Sequence, residues 1–404
     1  MARILRGLAY GLALTRSVYA VDMNMEYNQG LPDTGLDVSG WTAGELPDLD
    51  DMISLNDFQM AAKNFLSAKY YTQYRTGALD ETTYINNLDI FRKILFNGYA
   101  FQDVSNLNLN TTILGYNFAA PFFIAPAANA GHANDGAETN LVKAAASAGV
   151  LYAPSISATQ SIEEIGAAAA DGQIMFHQEY LWANTTRVED ELARIEAAGF
   201  KAIFLTVDNT GIGGIRDRSL RFSSGSSDTG HTLDFTVDSL NRLRNMTSLP
   251  IVPKGIKTAR DVKLCADLGF DAVYISNHGG RVVDGAPTAV EVLLDVHAQY
   301  PEVFDQIEIY ADGGVRRGTH VLALLALGVR AVGLGRPPMF ANVFGQEGVE
   351  AMLDILRTEL VTEMQLLGQT DVEKWRGNTS FINTKRVELE YYGAPLSSFT
   401  QINY

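Results

Sequence analysis

The stretch Ala272-Val273-Tyr274-Ile275-Ser276-Asn277-His278-Gly279-Gly280-Arg281 passes from an apolar, β-branched run directly into a polar, glycine-rich turn. A buried strand that delivers polar groups at its C-terminal end reads this way. The pattern recurs upstream at Phe122 to Ala127, Leu151 to Ser155, Ile174 to Tyr180, Ala202 to Asp208 and Ile251 to Gly255. It recurs downstream at Ile309 to Gly313 and Ala331 to Arg336. Helical runs separate these stretches, and strand alternating with helix is the signature of a parallel sheet wound by βα units. Eight strands in succession predict an α/β chain folded as a closed (β/α)8 TIM barrel. A doubly wound open sheet is disfavoured, because its G-x-G-x-x-G fingerprint after a first strand is missing.

Ahead of the barrel, Leu55 to Phe96 is predicted to be helical, with Asn56 as N-cap and apolar positions recurring at three and four. The barrel is therefore expected to carry an N-terminal helical extension. Met23 to Asp51 is acidic, rich in Gly and Pro and aperiodic, which reads as an extended arm. The first twenty residues carry Arg3, Arg6 and Arg16 with no acid, a short apolar segment from Gly7 to Leu14, and a Val18-Tyr19-Ala20 end. They read as a secretory signal or an organellar transit peptide, a choice left open. Sequons at Asn110, Asn184, Asn245 and Asn378 lean toward secretion, and Arg16 close behind the apolar segment leans against it. The expected organisation is targeting peptide over 1–20, arm over 21–54, barrel with its helices over 55–380 and C-terminal tail over 381–404.

Composition narrows the function classes. With 404 residues, 47% of them hydrophobic, the chain can bury a large core. A formal net charge of -16 opposes non-specific binding to nucleic acid or an anionic membrane surface. No apolar run reaches the roughly 20 residues of a membrane span. The single cysteine, Cys265, rules out an intrachain disulfide and a cysteine-based metal site, and it is expected to be a buried thiol in a helix from Ala259 to Leu268. No metal site is expected.

In a barrel the chemistry sits at the C-terminal strand ends, and here those ends are polar: Gln178 and Tyr180, Thr206 and Asp208, Lys254, Ser276 to His278, and Asp312. The last two strands end in Asp312-Gly313-Gly314-Val315-Arg316 and Gly333-Leu334-Gly335-Arg336. Glycine admits close backbone approach, and backbone N–H groups with the guanidinium groups of Arg316 and Arg336 offer donors to a phosphate. A phosphorylated cofactor or substrate is expected. His278 and Asp208 end two strands that face one cavity, which suits an imidazole base oriented by a carboxylate.

The run Ser276-Asn277-His278-Gly279-Gly280-Arg281, followed by Asp284-Gly285-Ala286-Pro287, resembles the signature of the FMN-dependent 2-hydroxy-acid oxidase family, which includes glycolate oxidase, lactate oxidase, lactate monooxygenase and flavocytochrome b2. The similarity extends from about Leu55 to about Gly368 and takes in Thr111 to Gly115, Ile124-Ala125-Pro126, Thr206-Val207-Asp208, Pro253-Lys254-Gly255 and Ala311 to Gly318. The resemblance implies His278 as catalytic base, Asp208 as its partner, Tyr180 as donor to the substrate hydroxyl and Arg281 as grip on the substrate carboxylate. Lys254 would lie by the flavin N1 and O2 edge, where a cation stabilises the charge of the reduced ring. FMN would be contacted by Ala125, Pro126, Ala127, Ser155, Gln178, Thr206 and Ser276. Asp312 and Gly313 would also contact FMN, and its phosphate would rest on Gly314, Arg316, Gly335 and Arg336. The resemblance further implies a small hydroxy-acid substrate, molecular oxygen as acceptor and a homo-oligomer, tetrameric as in many relatives.

Three substrate-side positions depart from the family. Gln73 stands where a substrate-binding tyrosine is expected, Ser157 aligns with a common tryptophan, and Ile215 aligns with a second active-site arginine. Gln73 is retained as a substrate ligand through its amide. With Arg216 and Arg218 out of register, carboxylate binding would rest on Arg281 alone. The loop from Arg216 to Phe235 is short and rich in Ser and Gly, which suggests a mobile, open entrance. These changes keep alternatives in view: a biosynthetic or monooxygenase-like flavoenzyme acting on a larger hydroxy acid, and a flavin-binding protein without catalysis.

Overall fold

Short runs rich in Val, Ile, Phe and Tyr form strands here because both of their faces are covered. In the computed structural model, which describes residues 31–209, 211, 213–222 and 230–393, seven parallel strands make one curled sheet. They are Phe122–Ile124, His177–Tyr180, Ile203–Thr206, Ile251–Ile256, Ala272–Ile275, Glu308–Ala311 and Ala331–Leu334. Consecutive strands neighbour one another from His177–Tyr180 through Ala331–Leu334, and the last pairs with Phe122–Ile124 through Val332 opposite Phe122.

The predicted second strand, Leu151 to Ser155, is a correction: it forms only isolated bridges, Tyr152 with Ile124 and Met175, and Ser155 with Gln178. Its backbone still closes the ring. Ile124 N donates to Leu151 O at 2.9 Å, and Gln178 N donates to Pro154 O at 2.8 Å. Pro154 has no N–H to contribute, which accounts for the broken ladder. The chain is a (β/α)8 TIM barrel with seven regular staves and one bridged stave.

Aromatic rings fill the barrel below the mouth. Phe123, Phe176, Phe204, Tyr274 and Tyr310 are all buried, with Phe204 5.3 Å from Tyr274 and Phe123 5.6 Å from Tyr274 in edge-to-face contacts. This core is solid, so ligands enter only from the strand ends.

The N-terminal extension is not one helical run. It breaks into Leu55–Phe65, Ala68–Arg75 and Thr82–Asp89. The N-cap of the first is Ser54, and the predicted Asn56 cap lies buried inside the helix. Gly77 lets the turn between the second and third helices lie against the barrel loop, since a Cβ there would stand 3.0 Å from Gly280 O. Cys265 is buried in the helix Ala259–Asp267 as expected. Within the predicted tail, Ile382–Asn383 pairs with Leu95–Phe96, and Lys385–Tyr392 is a helix. Residues 31–41 and 42–393 belong to separate units, and the predicted targeting peptide lies outside the described residues. Among the described residues, no helix is long and apolar enough to cross a membrane.

Phe204→Ala is expected to lower the unfolding free energy by about 3–5 kcal/mol, the usual cost of emptying a buried aromatic site. Urea denaturation followed by circular dichroism checks this, and a loss below about 1 kcal/mol would show that the interior collapses around the deletion.

Candidate active site

A cavity of about 390 Å³ opens at the C-terminal ends of the staves. It collects the residues that the strand-end pattern singled out: Ser155, Gln178, Tyr180, Thr206, Lys254, His278, Arg281 and Asp312 all line it. Ala125, Pro126, Ala127, Gly313, Gly314, Arg316, Gly335, Arg336 and Gln73 line it as well. Ser276 and Asp208 stand behind this lining and orient it.

His278 is placed by unusual backbone. It has φ of 59°, and Gly279 and Gly280 follow at 62° and 74°. Three consecutive left-handed residues turn the chain sharply at the strand end, and a residue with a Cβ accepts that conformation only at a cost of about 1–2 kcal/mol. Local bonds hold the turn: His278 N donates to Ser276 Oγ at 3.0 Å, and Gly280 N donates to Asn277 O at 3.0 Å. Asn277 is itself fixed by a reciprocal amide pair with Asn87 at 2.8 and 2.9 Å.

The His278 Nδ1 atom lies 3.0 Å from Asp208 Oδ1. Asp208 has a fully buried side chain. Burial alone would raise its carboxyl, but His278, Lys254 and Lys257 outweigh that and hold it below the ordinary carboxylate range. An ionised Asp208 accepts from His278 Nδ1 and fixes the orientation of the imidazole ring. Lys254 is buried, 3.7 Å from Asp312 Oδ2 and 3.5 Å from Ser276 Oγ. Ser276 donates to Asp312 Oδ1 at 2.7 Å, so one buried chain of polar groups ties the fifth, sixth and seventh staves together.

Across the mouth, Ser155 Oγ donates to Gln178 Oε1 at 2.8 Å and Gln178 Nε2 donates to Thr206 Oγ1 at 2.9 Å. Tyr180 is half-buried beside the Asn209 side chain, and desolvation raises its phenol above the ordinary range.

The arginines differ from expectation in two respects. Ile215, aligned with the family's second arginine, is an exposed residue. Arg216 turns inward in its place and lines the cavity. Arg216 Nη1 and Arg281 Nη2 both donate to Gln73 O, at 3.0 and 2.8 Å. Carboxylate binding therefore need not rest on Arg281 alone. Burial depresses the basicity of both guanidinium groups, and for Arg281 the nearby Arg216 and Arg336 charges add to it. Arg336, expected as a phosphate fork, lines the cavity and donates to Tyr74 O, Gly279 O and Thr76 O at 3.0, 2.8 and 3.2 Å. Its charge remains at the cavity wall while its N–H groups serve the backbone.

Arg216 and Asn209 also line the cavity and His231 stacks on Tyr180 beside it, three residues that the sequence reading did not place at the site. A motif read by alignment credits Ile215 rather than its neighbour, and only the turn of the chain after stave four reveals which side chain points inward. The expected entrance loop is described in part: Asp217–Leu220 is a helical turn, and 223–229 lie outside the described residues.

Comparison with known proteins gives this geometry its class. The chain matches the FMN-dependent dehydrogenase family over residues 62–227 and 223–381, and it belongs to that family. It is 34% identical to a peroxisomal (S)-2-hydroxyacid oxidase of Arabidopsis thaliana, over 79% of this chain and 94% of that protein. It is 32% identical to the L-lactate dehydrogenase (cytochrome) of Saccharomyces cerevisiae, over 84% of this chain and 62% of that protein. In three dimensions it resembles the flavin-binding domain of baker's yeast flavocytochrome b2, with a TM-score of 0.81, 32% identity, and coverage of 89% of this chain and 94% of that one. A mandelate oxidase bound to 3,3-difluoro-2-hydroxy-3-phenylpropionic acid follows, with a TM-score of 0.74, 31% identity, and coverage of 82% and 98%.

FMN is the cofactor of this family, and the cavity fits it. The Ser155, Gln178 and Thr206 ladder presents polar groups to a flat heterocycle, Lys254 supplies a cation, and Arg316 is buried with its Nε unpartnered. Gly335 adds a cradle: a Cβ there would meet no protein atom within 4 Å and would project into open space.

Gly335→Val is expected to fold normally yet to weaken FMN binding at least about tenfold, because the new side chain fills space without touching protein. Flavin retained after gel filtration, with thermal melting as control, reads this out. Unchanged retention would place the phosphate elsewhere.

Proposed function

We propose that this protein oxidises the C2 hydroxyl of a 2-hydroxy acid to the 2-oxo acid, with FMN accepting the electrons and molecular oxygen reoxidising the flavin. The observation that carries the reading is the convergence of two half-buried guanidinium groups, Arg281 and Arg216, on the wall that also holds His278 and Asp208. Among the described residues neither arginine meets a carboxylate. Two half-buried cations at one cavity wall favour an anionic ligand, and a carboxylate answers both with charge-assisted hydrogen bonds.

A substrate carboxylate held there sets its neighbouring carbon against the imidazole. Tyr180 donates to the substrate hydroxyl, and Gln73 borders the same space. His278 Nε2 takes a proton as C2 is oxidised, and Asp208 stabilises the imidazolium that results. Bound FMN supplies a two-electron sink, and Lys254 offsets negative charge on the reduced ring. Oxygen as acceptor is supported by relatives named as oxidases, while the yeast relative is named for cytochrome. A homo-oligomer and an organellar address complete the reading, the latter supported by relatives named as peroxisomal.

Ser157 and the exposed Ile215 favour a second reading for substrate size: the pocket takes hydroxy acids bulkier than glycolate. Adding glycolate, lactate and mandelate to the yellow protein without air separates the two readings. Bleaching by any of them followed by recolouring and peroxide in air is the expected result. No bleaching by any 2-hydroxy acid would sink the proposal.

Arg216→Met is expected to raise KM for the hydroxy acid about 10- to 100-fold, the loss of one charge-assisted contact. Arg218→Met should change it less than about twofold, since Arg218 is half exposed and lies 3.8 Å from Glu81. Equal effects would remove Arg216 from the carboxylate site. His278→Gln should slow anaerobic flavin reduction by about 10²- to 10⁴-fold while FMN stays bound.

A further inference from the structure

The chain that leaves stave four returns to the mouth at Gly230, and its return is clamped against the exit of stave three. Ala183 N donates to Gly230 O at 3.1 Å and Thr232 N donates to Leu181 O at 2.8 Å. Trp182 and His231 face each other across this clasp as an antiparallel bridge. The clasp lays the His231 ring flat on Tyr180, with centroids 4.0 Å apart and planes 16° from parallel.

The histidine is held on its other sides too. Its Nδ1 is 2.9 Å from Asn209 O, so that nitrogen carries the proton and donates. Trp182 meets the His231 ring at 4.6 Å and 63°. Trp182 is in turn fixed, its Nε1 donating to Glu179 Oε1 at 3.0 Å and the Arg187 guanidinium lying 3.3 Å over its ring. His231 is thus seated between a rigid wall and the one phenol at the mouth that the proposed mechanism uses.

Resting on that reading of Tyr180 as the hydroxyl donor, we infer that His231 is a positioning residue: it holds the Tyr180 ring in the orientation that aims its hydroxyl at substrate, and it makes that orientation depend on the clasp of 230–232 against 181–183. A phenol rotates about two side-chain bonds, and Asn209, the group beside its hydroxyl, is also the residue whose carbonyl anchors His231. One histidine therefore fixes the ring by its face and shares an anchor with the hydroxyl. Small errors in such placement are costly, since a displacement near 1 Å slows reaction about 100-fold.

The test is a double-mutant cycle read by the rate of anaerobic flavin reduction, with flavin absorbance and thermal melting as controls. His231→Ala and His231→Leu should each slow reduction about 10- to 100-fold with a smaller change in KM, while His231→Phe, which restores a flat ring, recovers to within about threefold. In a Tyr180→Phe background the same His231 changes should cost less than about twofold, because the hydroxyl they aim is gone. Equal losses in both backgrounds, or no loss with Tyr180 intact, would overturn the role of His231 alone. If Tyr180→Phe itself left the rate unchanged, the assignment of Tyr180 would fall and this inference with it. Should His231→Ala not fold, the Leu and Phe variants carry the same comparison.

Discussion

The carbonyl end of the helix Ala68–Arg75 is the constraint on which the active site depends. A helix leaves its last carbonyls without intrahelical partners and with partial negative charge. Here Gln73 O, Tyr74 O and Thr76 O receive N–H groups from Arg216, Arg281 and Arg336, which arrive from the loops after staves four, six and eight. Three cations crowd one mouth because this helix end offers them acceptors. Burial still pulls the Arg336 guanidinium down to about 10, with Arg75, Arg316 and Arg216 adding to the effect and Tyr84 opposing it. An anionic ligand relieves that crowding, so the extension in front of the barrel acts as part of the binding site.

The same extension neutralises itself by packing. Arg75 forms a buried pair with Glu81 at 2.9 Å, and its guanidinium lies 4.0 Å from the Tyr84 ring centroid. Arg336 lies 4.8 Å from the same ring. The tyrosine face accepts positive charge where no further carboxylate is present. Gly314 completes the seat, because a Cβ there would run into Asn87 O at 1.8 Å. The helix pair Ala68–Arg75 and Thr82–Asp89 is consequently pressed against the loops that follow staves six and seven.

Much of this was legible in the order of residues. Apolar runs ending in polar groups located the staves, and His278, Asp208 and Lys254 were picked out because chemistry at strand ends needs an imidazole, a carboxylate and a cation together. What was hidden depends on where the chain turns. A single-residue change of facing separates Arg216 from Ile215, and no periodicity exists in a loop to report it. The carbonyls that Arg336 serves were not legible either, since Thr76 lies 260 residues earlier in the chain. His231 sits in a loop rich in Ser and Gly, and only its stack on Tyr180 marks it. Pro154 was the one visible sign that the second stave would lack a full ladder.

The contact between Arg336 and Tyr74 spans 262 positions of chain. Synthesis runs from the N-terminus, so the helix end that organises the mouth exists long before the arginines that complete it. An emerging chain can close early staves and fill their aromatic interior, but the chamber for the cofactor has no far wall until stave eight has left the ribosome. Such long-range closure is slow relative to local folding. The cavity is therefore walled by contacts that span most of the chain, and its shape depends on a nearly complete barrel.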